Sequence, residues 1–70
     1  MGTIAALGEA QRIEGLGLAG VLVVPAEQPE EVRDRWAALP AGVVLVILTP
    51  RARAALGAVP AGPLTVVMPP

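Results

Sequence analysis

The chain has 70 residues, of which 54% are hydrophobic and 16% are charged, and its formal net charge is −1. This composition excludes a disordered chain, and the length fits one small domain over residues 1–70. All five basic residues are arginines, and no charge pattern for nucleic acid or an anionic membrane is visible. The N-terminus lacks the pattern of a signal peptide, so we expect a cytoplasmic protein without direct membrane insertion.

Several chemically active side chains are absent from the sequence. The chain contains no His, Cys, Ser, Lys, Asn, Tyr or Phe, so the usual nucleophiles, the usual general base and the usual nitrogen and sulfur metal ligands are missing. Acid–base chemistry would depend on the six carboxylates. We therefore predict a protein that is not an enzyme, with no catalytic residue, no metal site and no cofactor.

Short apolar runs alternate with helical patterns along the first part of the chain. Residues 3–7 predict a strand ended by Gly8, and residues 9–14 predict a short helix. Three glycines within residues 15–20 predict a loop, after which residues 21–24 predict a second strand. The pattern at this point is β-α-β.

The clearest helical pattern covers residues 26–39. Pro29 suits a first helical turn, and Val32, Trp36 and Leu39 form a buried stripe at helical spacing. That register favours core packing for Trp36, the only aromatic residue, over a role as an interface anchor.

An unbroken apolar run at residues 42–49 predicts the central strand, buried on both faces by helices. We expect Val44, Val46 and Leu48 on one face and Leu45 and Ile47 on the other, with both sets buried.

The last part of the chain predicts one more helix and one more strand. Thr49 can cap a helix that has Pro50 at its first position and ends near Gly57. Its expected apolar face is formed by Ala52, Ala55, Leu56 and Val59. A turn at residues 60–63 and a strand at residues 64–68 follow.

The alternation β-α-β-α-β-α-β predicts an α/β fold with a parallel sheet and right-handed crossovers. We expect a small three-layer Rossmann-like domain with a four-stranded sheet in the order 2-1-3-4. The first crossover would then lie on one face and the later two on the other.

Residues 15–20 match the dinucleotide-binding pattern G-x-G-x-x-G, but here the glycines follow a helix and precede a strand. Because phosphate binding needs the glycines to open a helix, we interpret them as a connecting loop. At the carboxyl ends of the strands, where such folds bind ligands, we expect Glu9 to be the only acid. A single acid does not suffice for a receiver-type magnesium site. An enzymatic role would require Glu9 near an arginine in a closed cleft.

Two pairs of residues are candidates for partner contact. Leu16 and Leu18 add apolar surface in the glycine-rich stretch, and Arg51 and Arg53 place positive charge in the first turn of the third helix, where the helix dipole disfavours it. The alternative for the two arginines is simple solvation.

Several short stretches together resemble the F-subunit family of the V-type (archaeal and vacuolar) ATP synthases. They are Ile4-Ala5-Ala6-Leu7-Gly8-Glu9, Gly15-Leu16-Gly17-Leu18-Ala19-Gly20-Val21, Pro29-Glu30-Glu31, Val46-Ile47-Leu48-Thr49 and Pro63-Leu64-Thr65-Val66-Val67-Met68-Pro69. The resemblance implies a Rossmann-like sheet and a non-catalytic subunit of the central rotor stalk in a proton-translocating ATPase. It also implies a coiled-coil rotor subunit as the protein partner and a location peripheral to a membrane complex. The alternative is a free-standing small-ligand-binding or receiver-like regulatory domain.

Overall fold

A computed structural model describes residues 2–58 and 61–70. The predicted four strands and three helices are present, and a 3₁₀ helix follows the first α-helix. In chain order the elements are β1 (Thr3–Gly8), α1 (Ala10–Ile13), the 3₁₀ helix (Glu14–Ala19), β2 (Leu22–Pro25), α2 (Pro29–Ala37), β3 (Val43–Leu48), α3 (Pro50–Leu56) and β4 (Leu64–Val67).

The four strands form one parallel sheet in the order β2-β1-β3-β4, which confirms the predicted fold and strand order. The chain moves from β1 outward to β2 and then back across β1 to β3 and β4. Because right-handed crossovers in opposite directions lie on opposite faces, α1 covers one face while α2 and α3 cover the other. We call these the α1 face and the core face.

The core face carries the main hydrophobic core. Ala5 and Leu7 of β1 pair in register with Val46 and Leu48 of β3, and all four side chains are fully buried. Helices α2 and α3 close over them with Val32, Trp36 and Ala52, and Ala26, which follows β2, completes the cluster. Trp36 is only 9% exposed, so its predicted place in the core is confirmed.

A β-bulge changes which residue at the start of β3 enters the core. Thr3 pairs with Val43, but the next residue, Ile4, pairs with Leu45, so Val44 has no partner on β1. Val43 therefore faces the core and is 6% exposed, whereas Val44 is 52% exposed. The prediction that Val44 is buried with Val46 and Leu48 is wrong, because the extra residue shifts the alternation of side chains.

The α1 face is covered only in part. Leu45 and Ile47 lie on this face because they alternate with the core residues of β3, and both are half-buried instead of buried. Helix α1 is four residues long and contacts β1 and β2, so it protects one half of the face. The prediction that Leu45 and Ile47 are buried is therefore wrong.

Helix α2 begins at Pro29, three residues later than the predicted range. The Ala26 N–H donates to the Gly8 carbonyl at 2.8 Å, which keeps Ala26 in the strand-end geometry of β2. The Glu31 carboxylate then accepts a hydrogen bond from the Gln28 N–H at 3.0 Å, as in a capping box, and this contact fixes the helix start.

The glycine-rich stretch forms the 3₁₀ helix and not an open loop. Gly20 ends it in the left-handed region, with φ of 83°, a conformation that glycine adopts without steric cost. The stretch leads into β2 and opens no helix, so it lacks the context that dinucleotide binding requires.

Helix α3 begins as predicted. The Thr49 hydroxyl accepts a hydrogen bond from the Ala52 N–H at 3.1 Å, and Pro50 occupies the first position. Val59, expected on the apolar face of this helix, and Pro60, expected to open the following turn, lie outside the described residues. Within the described ranges, none of the helices has the length and apolar character needed to cross a membrane.

Candidate functional site

A pocket lies at the carboxyl edge of the sheet, between α2 and α3. We call it the carboxyl-edge pocket, and its volume is about 280 Å³. Its apolar lining consists of Ala26, Pro29, Val32, Ala52, Ala54 and Ala55, of which the buried residues Ala26, Val32 and Ala52 form the floor. Glu9, Glu27 and Arg51 supply its charged groups. Open α/β sheets bind ligands at this edge, because the crossovers diverge there and leave a crevice.

Glu9 and Thr49 join the ends of the two central strands. Glu9 follows β1 and Thr49 follows β3, and the Thr49 hydroxyl donates a hydrogen bond to the Glu9 carboxylate while it accepts one from the Ala52 N–H. Thr49 is fully buried. Gly8 permits this approach, because a Cβ at its position would overlap the Thr49 side chain. One hydroxyl thus positions both the helix start and the carboxylate.

The pKa of Glu9 is set by opposing effects. Partial burial raises the pKa, but the hydrogen bond from Thr49, a backbone hydrogen bond and the positive charges of Arg51 and Arg12 outweigh it. The pKa of Glu9 is therefore lowered from its ordinary value. Glu9 carries its negative charge at neutral pH.

Glu27 is a second carboxylate at this edge, and the sequence reasoning missed it. It follows β2, and its Oε2 accepts a hydrogen bond from the Ala10 N–H at the start of α1, at 3.0 Å. The distance of 17 residues between the two groups hides this contact in the sequence. The position of Glu27 just after a strand adjacent to β1 was the signal that could have found it.

The enzymatic hypothesis required Glu9 near an arginine in a closed cleft; the pocket brings together Glu9 and Arg51, but it is open to solvent. A carboxylate with a lowered pKa is a poor proton donor and a weak base near neutral pH, so this arrangement suits binding of charge better than proton transfer. Among the residues that the structure describes, no three His, Cys, Asp or Glu side chains are grouped to hold a metal ion.

A second feature lies on the α1 face. Its uncovered part, which we call the open apolar face, is formed by Ile4, Leu45, Ile47, Leu64 and Val66, which the strand registers place on one side of β1, β3 and β4. Leu64 is 76% exposed, Val66 52% and Ile4 40%. Arg12 of α1 donates to the Pro69 carbonyl at 2.7 Å and so borders the carboxyl end of this face.

The four predicted contact residues fall into two separate places. Leu18 is 97% exposed and Leu16 half-buried, on the 3₁₀ helix that leads to the amino end of β2. Arg51 and Arg53 lie on α3, at the carboxyl end of β3 and on the other face of the sheet. Arg53 donates to the Gly57 carbonyl, whereas Arg51 lines the pocket. The structure does not bring the two pairs together.

Comparison of the chain with protein-family models, with curated proteins and with solved structures finds no match.

Proposed function

We propose that this protein is a non-catalytic adaptor domain that binds a protein partner through the open apolar face. The observation that carries the proposal is the exposure of Leu64 and Val66 of β4 and of Ile4 of β1 on one sheet face, with half-buried apolar side chains of β3 between them. Contiguous apolar patches on small proteins mark interaction sites, because water contact with them is unfavourable.

The dimensions of this face favour a helix as the occupant. Neighbouring strands lie about 4.8 Å apart, so β3 and β4 together offer a strip close to the ~10 Å width of a helix. Helix α1 already packs in this way on the other half of the face. A partner helix with apolar residues at i, i+3, i+4 and i+7 would lie beside it and complete the layer.

The resemblance to the F-subunit family of V-type ATPases supplies a specific partner for the proposal. In such a complex this domain is a central-stalk subunit, cytoplasmic and peripheral to the membrane, and the coiled-coil rotor subunit presents the helix. The resemblance rests on short stretches of sequence, and the open apolar face supports the binding role independently of the family. Leu16, Leu18, Arg51 and Arg53 remain a separate prediction of contact, because they lie away from this face.

Calorimetric titration against the coiled-coil rotor subunit of a V-type ATPase from the same source organism tests the proposal. We expect Val66→Lys to weaken binding at least tenfold, because a lysine charge would have to leave water at the centre of the contact. Leu18→Lys makes the same kind of change at a side chain of the separately predicted contact, which is 97% exposed, and so compares the two surfaces. Thermal unfolding of both variants checks that they fold.

Each outcome of this titration bears on one part of the proposal. Loss of binding in Leu18→Lys with full binding in Val66→Lys would move the contact to the 3₁₀ helix. Absence of heat at tens of micromolar wild-type protein would remove the rotor subunit as partner.

A further inference from the structure

The carboxyl-edge pocket has no role in the proposed adaptor function. It opens between α2 and α3 at the end of the core face, whereas the open apolar face lies on the opposite side of the sheet. A helix docked on β3 and β4 would leave the pocket accessible. The pocket is therefore available for a separate ligand.

Charges of both signs border the pocket. Glu9 and Glu27 bring two carboxylates and Arg51 one guanidinium. Arg51 is near enough to influence Glu9 electrostatically, yet no ion pair joins them, and Arg51 has no hydrogen-bond partner among residues 2–58 and 61–70. A ligand that carries both an ammonium and a carboxylate group would satisfy both sides at once.

The floor and the volume limit the rest of the ligand. The floor is apolar and made of small side chains, so it suits an aliphatic group on the part of the ligand that enters the pocket. A volume of about 280 Å³ lies near the lower end of the range for small-molecule sites and suits a small ligand. Two carboxylates at the rim also repel phosphate groups.

We propose that the carboxyl-edge pocket binds a free α-amino acid with a small aliphatic side chain. Glu9 and Glu27 accept hydrogen bonds from the ammonium group, Arg51 donates to the carboxylate, and the side chain lies on the alanine-rich floor. Glu9 is held for this task by Thr49, which hydrogen-bonds its carboxylate from the buried side.

Titration of the isotope-labelled protein, followed by two-dimensional NMR, tests this site with three probes of matched shape. L-valine carries both charges, isobutylamine lacks the carboxylate, and isovalerate lacks the ammonium group. We expect L-valine to shift the amide signals of pocket residues such as Glu27 and Ala52 and to saturate in the millimolar range, as suits a small ligand. The amine and the acid should each bind at least tenfold more weakly.

Variants assign the charged groups. Arg51→Gln should weaken L-valine binding at least tenfold and leave isobutylamine binding unchanged, while Glu27→Gln should weaken both. Arg35→Gln is the control, because it removes an exposed arginine of α2 that does not line the pocket.

Equal binding of all three probes would overturn the charge assignment. Amide signals that stay unchanged at L-valine concentrations well above the expected millimolar range would show that the site does not exist. This result is separable from the adaptor proposal, because Val66→Lys should leave L-valine binding intact.

Discussion

The substitution Thr49→Val tests the contact that connects the fold to the carboxyl-edge pocket. Valine keeps the shape of the threonine side chain and removes its hydroxyl. The hydroxyl caps α3 through the Ala52 N–H and also donates to the Glu9 carboxylate, and Thr49 is fully buried. The substitution therefore removes two hydrogen bonds without creating a cavity.

The magnitude follows from those two contacts. Loss of an N-cap costs about 1 kcal/mol, and loss of a hydrogen bond to a charged group costs about 1.5–3 kcal/mol when its partner stays buried. Water can reach the half-buried Glu9 and replace part of the lost hydrogen bond, so we expect Thr49→Val to lower the free energy of unfolding by about 2–3 kcal/mol in total. A chain of this size has roughly 4–10 kcal/mol of stability, so the midpoint of thermal unfolding should fall by about 10–20 °C.

Urea and thermal unfolding followed by circular dichroism measure the effect, with two controls. Thr49→Ser keeps both hydrogen bonds and should lose about 1 kcal/mol for one buried methyl group. Thr3→Val makes the same chemical change at an exposed position and should stay within about 0.5 kcal/mol of wild type. If Thr49→Val unfolds at the same urea concentration as Thr3→Val, the hydroxyl does not organise the carboxyl edge.

Three further predictions address other parts of the same structure. Gly8→Ala should lower the free energy of unfolding by about 1–3 kcal/mol, because its Cβ would overlap the Thr49 side chain. Gly15→Ala, with open space around its position, should be neutral or stabilising, and equal urea midpoints for the two variants would contradict this. Val46→Asp should abolish cooperative thermal unfolding, since its side chain is fully buried, and a cooperative transition would show that β3 is not central. The lowered pKa of Glu9 should make wild-type stability fall as pH drops below the ordinary pKa of a glutamate, and Glu9→Gln should lack that part of the acid dependence.

The sign of the last effect follows from the protonation of Glu9 in each state. The folded protein holds the carboxylate with a pKa below its unfolded value, so the unfolded chain takes up the proton first as pH falls. The stabilisation is complete above the unfolded pKa and disappears below the folded one. Urea unfolding at a series of pH values, compared between wild type and Glu9→Gln, measures it; parallel pH profiles would show that Glu9 is not stabilised in the fold.

The sequence was sufficient to predict the element order and the sheet order, because these depend on strong local signals. Proline and glycine mark most element ends, and the start of α3 at Thr49-Pro50 follows from residue types alone. The bulge at Val44 gave no such signal. Val43 and Val44 are identical side chains, so nothing local determines which of them faces the core, and the pairing with Thr3 and Ile4 decides it.

The pocket could be predicted only in part for a related reason. Glu9 and Arg51 stand close after β1 and β3, and the rule for open α/β sheets placed Glu9 at this edge. Glu27 was assigned to the start of a helix because residues 26–39 have a helical pattern throughout. The hydrogen bond from the Ala26 N–H to the Gly8 carbonyl keeps this segment at the edge of the sheet instead, and such a contact between distant residues has no local pattern.

The open apolar face, in contrast, follows from connectivity. Four parallel strands have three crossovers, and the order β2-β1-β3-β4 sends the first to one face and the other two to the opposite face. One face therefore receives a single connection, and in this chain that connection contains a helix of only four residues. The β3–β4 half of that face must stay uncovered by the described crossovers whatever its side chains are. The side chains on that uncovered half are all apolar, namely Leu45 and Ile47 of β3 and Leu64 and Val66 of β4, and this combination is the reason to expect a partner there.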